Sequence, residues 1–215
     1  MGLDTHLALL GELDQGALRG TGDALYVTVS TGVGGAMLAG GRLVVGAEGL
    51  AGEVGHLPVM AGGPRCGCGG RGHLEAVASG PAIAAAGEAA ARSGRSGDLA
   101  RRMAAAPDGH LSGRDVAEAA RAGDAVASAI LARARAAVAR ALVGLMDLLN
   151  PERVVLGGGV ILADPPSWFG AARRSPDRTG LVVHAARVEL VLPELGDDAG
   201  LVGCRPFLQG ASRRV

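Results

Sequence analysis

The chain has 215 residues, 48% of them hydrophobic, and its 21 basic and 21 acidic side chains balance to no net charge. That composition reads as a soluble globular protein with a sizeable core, and it excludes a nucleic-acid surface that works by bulk positive charge. Aromatic residues make up 2% of the chain, too few for base-stacking platforms.

The first segment, LDTHLALLGELDQGAL, spaces Leu3, Leu7, Leu10, Leu13 and Leu18 mostly three or four apart and predicts an amphipathic helix ending near Gly20. It has no basic start and carries Asp4, Glu12 and Asp14, so it is not a signal peptide. DALYVTVSTGVGGAMLAGGRLVVG then predicts two or three strands joined by glycine turns, with Leu25, Val27 and Val29 alternating with Tyr26 and Thr28. Gly40-Gly41 is a hairpin signal.

A long glycine-rich loop follows. EAVASGPAIAAAGEAAARSG is helical with a break at Ser79-Gly80-Pro81, and SGRDVAEAARAGD is a short helix capped by Ser112 with Asp115 three residues on. Residues 124–149 form a long helix stopped at Asn150-Pro151. Arg133, Arg135, Arg140 and Asp147 interrupt it, so it is not a membrane span. RVVLGGGVI is a buried strand entering a glycine turn. Residues 163–180 are proline-rich and poorly patterned; with Trp168 and Phe169 they are either an adenine-side lid or, the favoured reading, a loop packing one hydrophobic anchor. ARVELVLPEL is a last strand and DDAGLVGCRPFLQGA a last helix. This order points to an α/β layer with a mixed sheet.

The glycine-rich loop, GHLPVMAGGPRCGCGGRGHLE, places His56, Cys66, Cys68 and His73 in the spacing His-x9-Cys-x-Cys-x4-His. Cys66 and Cys68 are too close for an ordinary structural disulfide. The cytoplasm is the expected compartment, and there paired cysteines bind metal or do redox chemistry. Two thiolates and two imidazoles suit zinc in a closed tetrahedral site, which braces a loop and does not catalyse. The alternative is a flexible loop with two idle thiols. Glu53 and Glu75 flank the loop. They are either a clamp for sugar hydroxyls, since a carboxylate can accept two hydrogen bonds, or solvated surface acids.

GLAGEVGHLPV followed by GPRCGCGGRGHLEAVASGPAI resembles the signature of the ROK family of repressors, open reading frames and sugar kinases, a Glu-x-Gly-His motif and then Cys-x-Cys-Gly-x-x-Gly-Cys-Leu-Glu. The resemblance implies the C-terminal lobe of the actin/hexokinase/Hsp70-like (ribonuclease H-like) fold over 1–215. It implies sugar contacts from Glu53, His56 and Glu75, and a structural zinc held by His56, Cys66, Cys68 and His73. His73 stands where the family has a third cysteine. VSTGVGG looks like the family's second phosphate-binding turn, which implicates Thr31, Gly32 and Gly34, because a hydroxyl and bare glycine amides can approach a phosphate closely. LNPERVVLGGGVI resembles the adenosine segment, with Gly157, Gly158 and Gly159 lining a nucleotide cleft.

LDTHLALLGE is similar to the family's Asn-Asp-Ala-Asn…Leu-Gly-Glu segment, whose aspartate is the catalytic base; Asp4 matches it, and Leu3 replaces the preceding asparagine. The family's N-terminal lobe, with its Asp-x-Gly-Gly-Thr phosphate loop, and the winged helix-turn-helix of its repressors have no counterpart in the sequence. The expectation is a sugar-binding protein built like an ATP- and Mg²⁺-dependent hexose or N-acetylhexosamine kinase. It would be weak or inactive by itself, since losing even one preorganised donor costs ~10²–10³ in rate. Asp4 also lies beside a terminus, where chains fray. The alternatives are a sugar-sensing domain of a repressor and a non-catalytic dimerisation module. A homodimer is expected, with no membrane and no direct nucleic-acid contact.

Overall fold

The computed structural model describes residues 4–174 and 188–211. Helix α1 spans Asp4–Gln15, strand β1 Ala24–Val29, β2 Val33–Ala39 and β3 Arg42–Val44. Helices α2 (Leu74–Ala78), α3 (Gly80–Arg92), α4 (Gly97–Ala105), α5 (Gly113–Arg121) and α6 (Ala125–Leu149) follow. Strand β4 (Arg153–Gly157), helices α7 (Gly159–Leu162) and α8 (Pro165–Arg173), β5 (Glu189–Val191) and α9 (Ala199–Ala211) complete the described chain.

The five strands form one mixed sheet in the order β3-β2-β1-β4-β5. The β1–β2 and β2–β3 pairs are antiparallel; β1–β4 and β4–β5 are parallel. Gly40 and Gly41, at φ 54° and 72°, turn the β2–β3 hairpin, a left-handed pair that glycine adopts without steric cost. The period of two in β1 sorts residues between two cores instead of between core and solvent. Leu25, Val27 and Val29 join Val154 and Leu156 in a cluster under α2 to α6. Ala24, Tyr26 and Val155 pack with Leu9 of α1 on the opposite face. A central strand covered on both sides reads this way in α/β layers.

The caps explain the helix boundaries. Ser79 ends α2, and its Oγ accepts from the Ala82 amide to start α3. Ser112 and Asp115 form a reciprocal capping box on α5. Asp124 caps α6, and Asn150 ends it in the left-handed conformation.

One segment departs from the sequence reading. Residues 165–173 are helical, not a loop, because Pro165 occupies the first turn, where a missing amide costs nothing. Trp168 is the buried anchor of that helix. Residues 175–180 of the same stretch, and 186–187 of the expected last strand, lie outside the described residues.

Helices α1 and α9 touch backbone to backbone. A Cβ on Gly203 would overlap the Leu7 carbonyl oxygen, and one on Gly11 the Ala199 carbonyl oxygen. Beside this contact the fully buried Glu12 carboxylate accepts from the amides of Ala17, Glu194 and Leu195. A buried carboxylate is tolerated when several donors satisfy it.

Candidate functional site

The beginning of β2 is where the elements carrying Asp4, Glu53, His56 and Glu75 are anchored. The turn before it, Ser30 to Gly32, is closed by the Ser30 amide donating to the Gly32 carbonyl at 2.8 Å. The Gly80 amide donates to the Ser30 carbonyl at 2.8 Å, which fixes the start of α3 against the turn. Glu75 Oε2 accepts from the Val33 amide at 3.0 Å, and a Cβ on Gly32 would stand 2.9 Å from the same oxygen. Gly32 therefore lets the Glu75 carboxylate lie against the turn.

Two other elements close on β2. The Thr5 hydroxyl of α1 donates to the Gly35 carbonyl at 2.8 Å. The 51–56 loop presses onto the same strand through Gly52, at φ 104°, and Gly55; Cβ atoms there would overlap the carbonyl oxygens of Gly35 and Val33. Its last residues, Val54–His56, make one 3-10 turn that carries Glu53 and His56. The third side is closed by His6, whose ring Nε2 donates to the Ala51 carbonyl at 2.7 Å. Asp4 is exposed in the first turn of α1, and the bonds of the next two residues tie that turn down.

The cysteine loop is a narrow hairpin. Arg65 bridges to Arg71, Pro58 bridges to His73, and the Cys66 amide donates to the Gly70 carbonyl at 2.8 Å. This folding brings the candidate donor atoms of His56, Cys66, Cys68 and His73 within 4.8 Å of one another. Cys66 Sγ lies 3.7 Å from His56 Nδ1, and Cys68 Sγ 3.1 Å from His73 Nδ1. Zinc–sulfur and zinc–nitrogen bond lengths put tetrahedral donor pairs about 3.3–3.8 Å apart, so the set fits a zinc ion with little movement. The bonded Cys68 amide favours a Cys66 thiolate, but burial, the Cys68 thiol and the Glu75 carboxylate outweigh it and push the Cys66 thiol up. A cation at the centre would relieve that. His56 divides its nitrogens: Nδ1 faces Cys66, and Nε2 faces Glu53 Oε2 at 3.7 Å.

Two cavities open beside the Ser30–Gly32 turn and share Thr31. The larger, about 860 Å³, is lined by Ser30, Thr31, Gly80, Gly113, Gly159 and Trp168, among others. Arg135 crosses its wall, 3.6 Å from Asp164 and with its guanidinium 5.9 Å from the Trp168 ring centroid. The smaller, about 500 Å³, is lined by Thr31, Cys66 and Glu75.

Of the glycine triplet, only Gly159 lines the larger cavity. Gly158, at φ 89°, makes the strand-to-helix turn, where a Cβ would overlap the Val29 carbonyl oxygen, and Gly157 faces Pro193. Gly34 lies under the Thr5 methyl, where a Cβ would be 2.9 Å away. Sequence reasoning gave no site role to His6, Gly80 or Arg135, though it weighed an adenine-side lid for the segment of Trp168. The Ser-Gly-Pro break between helices was the available signal for Gly80; nothing local marks the other two.

A profile of the ROK family matches residues 1–210. A glucokinase from Halalkalibacterium halodurans is 35% identical over 201 residues, which are 93% of this chain and 60% of that protein. The crystal structure of a ROK hexokinase from Thermus thermophilus is 33% identical with a TM-score of 0.79, covering 97% of this chain and 65% of its own. A ROK transcriptional regulator, homologous to the Escherichia coli MLC protein, superposes with a TM-score of 0.81 at 26% identity, over 97% of this chain and 51% of its own. The chain spans 60–64% of the length of three curated glucokinases that it matches.

Proposed function

The chain belongs to the ROK family, and from that premise we propose that it carries the sugar clamp and catalytic base of an ATP-dependent hexose or N-acetylhexosamine kinase. The observation that supports this most is the convergence on the first three residues of β2. Glu75 bonds to Val33, Thr5 holds the Asp4 turn to Gly35, and the Glu53–His56 loop rests on both residues. Three elements distant in sequence, carrying Asp4, Glu53 with His56, and Glu75, are thus tied to one strand end, beside a glycine turn that opens on a large cavity.

Each residue then has a stated task. Glu53, His56 Nε2 and Glu75 accept or share hydrogens with sugar hydroxyls, which fixes the ring. Asp4 takes the proton of the attacking hydroxyl as its oxygen bonds to the γ-phosphorus and ADP leaves, so proton and phosphoryl charge both balance. The Thr31 hydroxyl and the backbone at Gly32 face the phosphates, and the cavity walled by Gly159 and Trp168 takes the adenosine. Mg²⁺, carried in with ATP, supplies charge neutralisation on the phosphates. His56, Cys66, Cys68 and His73 hold a structural zinc that braces the loop between Glu53 and Glu75 and takes no part in a chemical step. In this family reading the chain supplies one lobe of the kinase and a face for self-association.

The test is phosphoryl transfer from ATP to glucose, N-acetylglucosamine and N-acetylmannosamine, run beside calorimetric binding of each sugar. Transfer abolished in Asp4→Asn with sugar affinity retained supports the assignment. Sugar binding with neither transfer nor calorimetric binding of ATP in the unaltered chain favours a second reading, a sugar sensor, which the close superposition of the ROK regulator supports. Absence of both overturns the sugar site.

A further inference from the structure

The glycines of the cysteine loop are not equivalent. Gly69 and Gly72 sit at φ 93° and 66°, the left-handed region that glycine adopts without steric cost. Gly70 lies outside that region, so the turn does not call for glycine there. A neighbour does. A Cβ on Gly70 would overlap His73 Cε1 and stand 2.5 Å from His73 Nε2 and 3.1 Å from Nδ1. The His73 ring thus lays its Cε1–Nε2 edge against the bare Cα of Gly70. Gly67, on the same loop, has neither feature: its φ is not left-handed and nothing lies within 4 Å of its Cβ position.

The backbone on either side of His73 is tied down. The Gly72 amide donates to the Pro64 carbonyl at 2.8 Å, and the Gly72 carbonyl accepts from the Val59 and Met60 amides at 2.9 and 3.1 Å. The Leu74 amide donates to the Leu57 carbonyl at 2.9 Å, and Glu75 beyond it is bonded to Val33. The family motif has cysteine at position 73 and leaves position 70 open. An imidazole is longer than a thiol, and with residues 72–75 pinned the extra length has to be taken up where the side chain points. In this chain it occupies the place of the side chain that Gly70 lacks. Nδ1 is then the nitrogen turned to the other donors, 3.1 Å from Cys68 Sγ.

We propose that Gly70 is the residue that makes His73 a metal ligand: having no side chain, it receives the Cε1–Nε2 edge of the ring, aims Nδ1 at the ion, and lets an imidazole stand in for a cysteine without moving Glu75. A neutral imidazole that ligates through Nδ1 carries its hydrogen on Nε2. This rests on the zinc reading above and is independent of the sugar and kinase readings. Its consequence is a dependence between two positions: Gly70 matters to the metal only while residue 73 is histidine.

A double-mutant cycle on the full 215-residue chain tests this, with zinc affinity read by competition with a chromophoric chelator. The variants are Gly70→Ala, His73→Cys, the two combined, and Gly67→Ala as a control. In Gly70→Ala the ring is the part free to swing, so zinc binding should weaken by roughly 10–100-fold, the scale of a disturbed ligand support. His73→Cys should still bind zinc, and adding Gly70→Ala to it should cost nothing further; that non-additivity is the mark of direct contact. The combined variant also shows that the loop folds with a methyl at position 70. Gly67→Ala should leave the affinity unchanged. In cobalt-loaded protein the thiolate-to-cobalt absorption should grow in His73→Cys, which adds one more thiolate at the ion. The Val33 amide should exchange equally slowly in the zinc-loaded unaltered chain and in zinc-loaded His73→Cys.

Undiminished affinity in Gly70→Ala overturns the proposal while leaving the zinc site standing. So does an equal loss from Gly70→Ala in both backgrounds, since the methyl would then act on the loop backbone and not on the ring. Faster Val33 exchange in His73→Cys or in the unaltered chain overturns it as well, because the change of ligand would then reach Glu75. Failure of the unaltered chain to bind zinc overturns the zinc reading itself, and the proposal with it.

Discussion

Glu75 Oε2 and the Val33 amide are 3.0 Å apart, and that bond joins the end of the cysteine loop to the first residue of β2. One oxygen of the carboxylate is therefore committed to the backbone, and the other is left for a ligand. A carboxylate anchored in this way offers a hydroxyl group a fixed acceptor instead of a mobile one.

Gly32→Ala tests that arrangement. Its Cβ would come within 2.9 Å of Glu75 Oε2, tighter than real contacts allow, so the flexible end of Glu75 must shift and its bond to Val33 weaken. Sugar affinity should fall by roughly tenfold, the scale of one lost charge-assisted hydrogen bond. Calorimetry on the purified variant checks it, with exchange of the Val33 amide rising in parallel.

One zinc per chain is expected in protein purified without chelators, measured by elemental analysis. Both loop thiols should then be protected from thiol reagents. Metal-free protein with Cys66 and Cys68 freely titratable would remove the metal from the account.

Glu53→Ala should abolish any sugar-induced rise in melting temperature while zinc stays bound. Glu53 approaches His56 through Nε2, and the nitrogen that faces Cys66 is Nδ1. Zinc loss in this variant would show that the two sides of the imidazole have been assigned the wrong way round.

Stability should fall in acid, and Asp124 is one reason. The Ser96 hydroxyl and then the Ala127 amide hold its carboxyl below the usual range. A group whose folded value lies below its unfolded one stabilises the fold above the unfolded value, and that contribution disappears as pH falls through the folded one. The melting temperature should drop below about pH 4, the ordinary aspartate range, and less steeply in Asp124→Asn.

Much of the architecture was readable in advance because it is written locally. The Ser112–Asp115 box, the Gly40–Gly41 turn and the 124–149 helix each follow from neighbours along the chain. The convergence of His56, Cys66, Cys68 and His73 was readable because the four lie close together on one glycine-rich loop. Other features depend on contacts no local pattern records. Residues 165–173 looked like a loop because proline was read as a breaker and not as a first-turn residue. Gly34, expected near a phosphate, packs under Thr5. His6 lay inside an amphipathic pattern, and only the fold shows that its partner is Ala51.

The glycine seam between α1 and α9 has a consequence for the order in which the protein is made. Helix α1 is synthesised long before the backbone it lies against at Ala199 and Gly203. Contacts so distant along a chain carry the largest loop-closure cost and form late. During translation Asp4 sits on a helix without its neighbour, and the turn that carries it can settle only after α9 has been made.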